Sequence, residues 1–230
     1  MIHAFKKVFK KFRHSSSLLP IDGAVFYKNM PYYAQWESKD MIGKILSKKV
    51  SPAEDSLWKK SGARTQREYV IWSWNGCGMA CLKMVLKHIK DLEVPLVVLG
   101  RVCMSYGGYK VSKKGLDGLF YKPFVEFVKK EYGLDAKVES PLLIDDILQA
   151  LSEKNYVIAS VNPEIRNPDA YPKKKGGHLI LIVGYDYFKK LLYIHNPSGD
   201  NNKNQAFAEI SFGNFKKFFA ERGIVIQSIL

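Results

Sequence analysis

Residues 72–86 read WSWNGCGMACLKMVL. Cys77 stands between two glycines at the head of an apolar run with helical spacing. The predicted helix reaches to about Lys90. Cys81, Met84, Val85 and His88 fall on its buried side, and Lys83, Lys87 and Lys90 form an outward stripe. A cysteine in this position is a packed core residue, a metal ligand, a redox thiol or a nucleophile. A metal site needs three or four suitable ligands, and a thioredoxin-like site needs CxxC; neither pattern occurs, so no metal and no cofactor is expected. Packing suits Cys81 and Cys103. It suits Cys77 less well, because flanking glycines allow close backbone approach, and a helix start offers unpaired N–H groups that favour the thiolate.

A nucleophilic cysteine needs a base, and the base needs a group to orient it. His3 and His14 belong to a basic N-terminal segment, and His88 lies too far along the Cys77 helix. His178, in GGHLILIVGYD, and His195, in YIHNPSG, remain. The two stretches read as an antiparallel hairpin joined through YFKK. With Tyr185 opposite Leu191, His178 faces Ser198, Asn196 is its diagonal neighbour on the same face, and His195 points to the other face. Diagonal pairs lie about 7–8 Å apart, within reach of an imidazole and an amide. A slip of one residue reverses the conclusion.

Outward from this core, the chain of 230 residues carries a net charge of +14 with 47% hydrophobic residues. That is enough apolar material for a sizeable core. The excess of cations favours anionic partners. Residues 1–14 hold Lys6, Lys7, Lys10, Lys11 and Arg13, with Phe5, Val8, Phe9 and Phe12 at helical spacing. Residues 1–18 therefore read as a basic amphipathic arm that docks on the body or meets an anionic membrane surface; nucleic acid is not the expected partner. Residues 19–230 read as one domain with a polar, irregular insertion at 37–70. Three cysteines make no disulfide framework, no apolar run is long enough to span a membrane and no secretory signal is legible. The expected setting is cytoplasmic, with the arm as a peripheral membrane contact.

Helices are predicted over 121–132, stopped by Gly133, and over LIDDILQALSEKN. From about residue 155 the period changes to two: YVIASVN, HLILIVGYD and LLYIHNP are strands. AEISFGNFKKFFAERG is a strand and a last helix, and IVIQSIL a closing strand. Helices first and an antiparallel sheet after them make an α+β fold.

PYYAQW, NGCGMACLKMVL, GGHLILIVGYD and YIHNPSG, in that order, resemble the papain-like cysteine peptidases of the bacteriocin-processing, double-glycine-leader type, and in particular their free-standing soluble members. The resemblance covers about residues 25–230. It implies the papain-like fold, with the nucleophile helix packed on the antiparallel sheet. It implies Cys77 as nucleophile, His178 as general base, Asn196 as the orienting group, where many members have aspartate, and Gln35 as an oxyanion donor beside the Cys77 N–H. About forty residues separate Gln35 from Cys77, more than is usual in the family, which leaves Gln66 as a rival. Trp36, Trp74 and Gly177 are the expected substrate contacts. The expected partner is a peptide or protein substrate, and Lys173, Lys174 and Lys175 ahead of His178 suit an acidic one. No transporter domain follows, so processing coupled to export is not implied. Hydrolysis makes the chain a peptidase. An amine or thiol acceptor makes it an acyltransferase, and an incompetent triad makes it a binding module that kept the fold.

Overall fold

The computed structural model describes residues 21–113 and 115–228, so the arm expected at residues 1–18 lies outside the described residues. In chain order the elements are β1 (Ala24–Phe26), α1 (Ile42–Leu46), α2 (Gln66–Asn75), α3 (Cys77–Lys90) and α4 (Leu96–Ser105). The hairpin β2 (Tyr109–Ser112) and β3 (Gly115–Gly118) follows, then α5 (Tyr121–Tyr132), β4 (Ala136–Glu139) and α6 (Ile144–Ser152). The last part holds β5 (Tyr156–Val161), β6 (His178–Asp186), β7 (Leu191–His195), β8 (Ala208–Ser211), α7 (Phe212–Phe218) and β9 (Phe219–Ile226).

Among the described residues, seven strands form one antiparallel sheet in the order β4-β9-β5-β6-β7-β8, and β1 pairs with the far end of β6. Both faces are covered. Leu179, Leu181 and Val183 of β6 pack with α3, α4 and α5, while Ile180 and Ile182 pack with α6 and α7. A strand covered on two sides reads as an unbroken apolar run, which is why LILIV shows no polar alternation. The fold is α+β with the Cys77 helix against an antiparallel sheet, as expected. Among the described residues no helix is long and apolar enough to cross a membrane.

Several expectations change. Lys83 is not on an outward stripe: it is 7% exposed, its Nζ 3.6 Å from a Glu93 oxygen and 4.2 Å from the centre of the Tyr33 ring. Its aliphatic stem is what the helix buries. The last helix is shorter than expected, because β9 already begins at Phe219. Segment 37–70 carries its own small core, in which Trp36, Ile42, Ile45 and Tyr69 pack together. Asp55 pins it, accepting from Ser38 N–H at 2.9 Å, Ser38 Oγ at 2.6 Å, Leu57 N–H at 3.0 Å and the Tyr69 hydroxyl. Burial would raise this carboxyl, but the donors from Ser38 and Tyr69 outweigh it and hold it below the ordinary range.

The hairpin register also differs. Asp186 pairs with Leu191 and Tyr185 with Leu192, one residue off the expected pairing. A bulge between Ile182 and Gly184 then takes up one residue, so that Leu181 pairs with His195. Beyond the bulge the alignment is the one expected, and it delivers His178 to Ser198 and Asn196.

Candidate active site

Two helices meet at Cys77. Thr65 caps the start of α2, accepting from Glu68 N–H at 3.1 Å. Gly76 ends α2, and α3 begins at Cys77. The flanking glycines serve close packing. A Cβ on Gly76 would lie 2.7 Å from Leu96 Cδ2, and one on Gly78 would lie 2.7 Å from Leu119 Cδ2 and 3.0 Å from Leu179 Cδ1. The break leaves the first N–H groups of α3 outside the helix ladder, which places positive partial charge at the sulfur.

A cavity of about 710 Å³ opens where this helix start meets the start of β6. Cys77, Ser160, Gly177, His178 and Leu179 line it together with residues 118–123. Gly176 and Gly177 enter β6 with φ of +85° and +97°, a conformation that only glycine adopts freely, and they turn the chain to present His178. The ring is 5% exposed. His178 Nε2 lies 2.8 Å from Asn196 Oδ1 and 3.0 Å from Ser198 Oγ. The Ser198 backbone N–H donates to the same Asn196 oxygen at 3.1 Å, and Arg166 Nη1 donates to Ser198 Oγ at 2.7 Å.

Gln35 sits behind the Cys77 helix start. Its Nε2 donates to the Ser73 carbonyl at 2.7 Å, the acceptor an unbroken helix would offer to the Cys77 N–H. Its backbone N–H donates to the Pro197 carbonyl at 2.9 Å, and the Tyr32 hydroxyl donates to the Asn196 carbonyl at 2.9 Å. Gln35 is thus tied at once to the helix before Cys77 and to the turn after Asn196. Gln66 lies at the other end of α2, with its Nε2 on the Ala53 carbonyl at 3.3 Å. Ten residues of helix, about 15 Å, separate it from Cys77.

The structure brings Cys77, His178 and Gly177 to one cavity and sets Asn196 on the far side of the imidazole. The two tryptophans lie elsewhere. Trp36 is 1% exposed in the small core beside segment 37–70, and exposed Trp74 packs edge-on against it; like Gln35, neither lines this cavity. Lys173, Lys174 and Lys175 do not line it either. His195 is fully buried between Tyr32 and Phe207, with ring centroids at 5.5 and 4.4 Å.

Burial governs the charge state of the pair. It pushes the Cys77 thiol up, against the pull of the Leu179, Gly78 and Cys77 N–H groups. It pushes the His178 imidazole down to about 4, opposed by the Asn196 hydrogen bond and aided by the Arg166 charge. Burial thus works against the thiolate that His178 and the helix start together are expected to hold on Cys77. Cys81 and Cys103 are fully buried, and burial pushes both thiols up.

Sequence reasoning missed Arg166 and gave Ser198 no role; nothing local marks either as belonging to the site. The helix α2 did have a signal. Thr65 followed three residues later by Glu68 is a capping-box pattern at the foot of an apolar stretch.

A family model described as the Peptidase_C39 like family matches residues 27–225. Among solved structures, a C39-like peptidase from Bacillus anthracis superposes with a TM-score of 0.52 at 13% identity, covering 89% of this chain and 98% of that one. The peptidase domain of Streptococcus ComA, a bifunctional ABC transporter involved in a quorum-sensing pathway, aligns with a TM-score of 0.43 at 16% identity, covering 66% of this chain and 91% of that one. No curated protein matches.

Proposed function

The chain belongs to the Peptidase_C39-like family, and from that premise we propose that it is a cysteine peptidase cleaving a peptide or amide bond through an acyl-enzyme on Cys77. The observation that carries the reading is the hydrogen bond between His178 and Asn196 in the cavity that also holds Cys77.

The Asn196 oxygen faces Nε2, so Nε2 carries the proton and the Nδ1 lone pair is free to act as base. His178 takes the thiol proton as the sulfur attacks the carbonyl carbon. The oxyanion that forms is met by the Cys77 N–H and by the second N–H of Gln35 Nε2, a contribution of about 3–4 kcal/mol per donor in comparable sites. The intermediate collapses, the C–N bond breaks, and His178 returns the proton to the leaving amine. A water, deprotonated by His178, then attacks the thioester, releasing the acid and restoring the thiol.

The test is turnover of a quenched fluorescent peptide library by the full chain beside its Cys77→Ala variant. Cleavage that disappears with the sulfur supports the reading. Equal background in both, with Cys77 intact and reduced, contradicts it.

A further inference from the structure

We propose that Lys110, Lys122 and Arg222 make the cavity beside Cys77 a carboxylate-selecting subsite, so that the preferred peptides carry an acidic group close to the scissile bond. The inference rests on the peptidase reading of the same cavity and names its substrate class.

The three cations come from separate elements. Lys110 is on β2, Lys122 is in the first turn of α5 and Arg222 is on β9, yet all three line the cavity that holds Cys77 and His178. No acidic residue lines it. Among the described residues none of the three makes an ion pair. Lys110 Nζ lies 5.3 Å from the centre of the Phe120 ring, a cation held by an aromatic face rather than by a carboxylate. The Arg222 guanidinium lies along Gly176: a Cβ there would come within 2.8 Å of its Nη2, so the glycine that turns the chain toward His178 also makes room for the arginine. The α5 start, with no side-chain cap and no acid in its first turn, adds partial charge of the same sign.

Three exposed cations line one concave space, and its walls concentrate their field more than an open surface does. An entering carboxylate gains charge-assisted hydrogen bonds, with a bidentate fit open to Arg222. A peptide supplies a carboxylate from an Asp or Glu side chain or from its free C-terminus. The three cations accept either.

The experiment measures binding to the full-length Cys77→Ser protein, so that turnover does not enter. The probes are fluorescent hexapeptide libraries with one fixed position, either Glu or Gln, each as C-terminal amide and as free acid. The expected result is binding roughly tenfold tighter for Glu amides, or for free acids, than for Gln amides, as a charged hydrogen bond commonly gives. Which of the two wins identifies the carboxylate's source. The preference should fall away in 0.5 M salt and in the variant Lys110→Gln/Lys122→Gln/Arg222→Gln. The variant Lys110→Glu/Lys122→Glu/Arg222→Glu, which reverses all three charges, should turn the preference toward a library with Lys at the fixed position, a gain that a misfolded variant would not show. Equal binding of all four libraries, or a Glu preference that survives the triple substitution, would overturn the proposal. Acidic peptides that bind as expected but are left intact by the wild-type protein would count against the peptidase reading alone and leave the carboxylate subsite standing.

Discussion

Asn196 Oδ1 accepts from two directions at once, from the His178 ring at 2.8 Å and from the Ser198 backbone N–H at 3.1 Å. The backbone N–H has only one role, so it fixes which end of the amide faces the ring, and through it the tautomer. Arg166 occupies the Ser198 hydroxyl oxygen, which frees the hydroxyl hydrogen for the same Asn196 oxygen at 3.3 Å. The orientation of Asn196 thus favours Nε2–H and leaves Nδ1 as the base, with the Ser198 hydroxyl 3.0 Å from Nε2.

Asn196→Ala should lower kcat/KM about 100-fold with little change in fold, because the ring loses the contact that aims it. Asn196→Asp should act differently. A carboxylate favours the imidazolium, so the His178 pKa rises and the acid limb of the pH–rate profile moves upward from near 4. A pH–rate profile of both variants checks this, and an acid limb unmoved by the carboxylate would count against His178 as the titrating base.

The second glutamine question is answered by kinetics. Gln35→Ala should reduce kcat by about 100- to 1000-fold while KM changes little, since an oxyanion donor acts on the transition state. Gln66→Ala, altered at the exposed far end of α2, should stay within twofold of wild type. A reversed pair of results would move the oxyanion site off Gln35.

Cys77 should be the thiol that iodoacetamide reaches in the folded protein, and Cys81 and Cys103 should react only on unfolding. Since burial raises the Cys77 thiol, the alkylation rate should keep climbing through pH 9 rather than level off between pH 5 and 8. Mass mapping across pH reads this directly. A plateau at low pH would mean a preformed thiolate–imidazolium pair.

Much of the candidate site is legible in the sequence. Cys77, His178 and Asn196 follow from a glycine-flanked cysteine at a helix start, a glycine-led strand and strand parity. The pairing at the turn was off by one residue, and the site emerged in place because a bulge near Val183 restored the alignment. A bulge has no signature in an apolar run such as LILIVGYD. Lys83 was misread because periodicity reports the side chain's chemistry, not the Glu93 and Tyr33 partners that long-range folding supplies. Helix α4, apolar along LVVLGRVCMS, went unread because a helix covered on most sides loses its polar stripe. The cavity's cations were invisible for a similar reason. Lys173 to Lys175 stand together in sequence but off the cavity, while Lys110, Lys122 and Arg222 are far apart in sequence and meet only in the fold.

His178 and His195 are both buried, and burial pushes both imidazoles down to about 4. In the unfolded chain they protonate near 6.5. Between those values the unfolded state binds more protons, so stability present above pH 6.5 is lost as pH falls through about 4, at about 3 kcal/mol for each histidine. His195→Leu should melt within a few degrees of wild type at pH 7 and clearly above it at pH 4.5, as thermal melts at the two pH values would show. Parallel loss of stability in both proteins would remove His195 as a source of acid sensitivity.

The central claim is that Cys77, activated by His178, is the attacking nucleophile. Intact-mass analysis after incubation with a peptidyl vinyl sulfone tests it most directly. The account predicts one adduct, on Cys77, formed by the wild-type protein and by His195→Leu but not by His178→Ala at pH 7. An adduct that forms at the same rate without His178, or a folded wild-type protein left unmodified while free thiols at the same pH react, would contradict it.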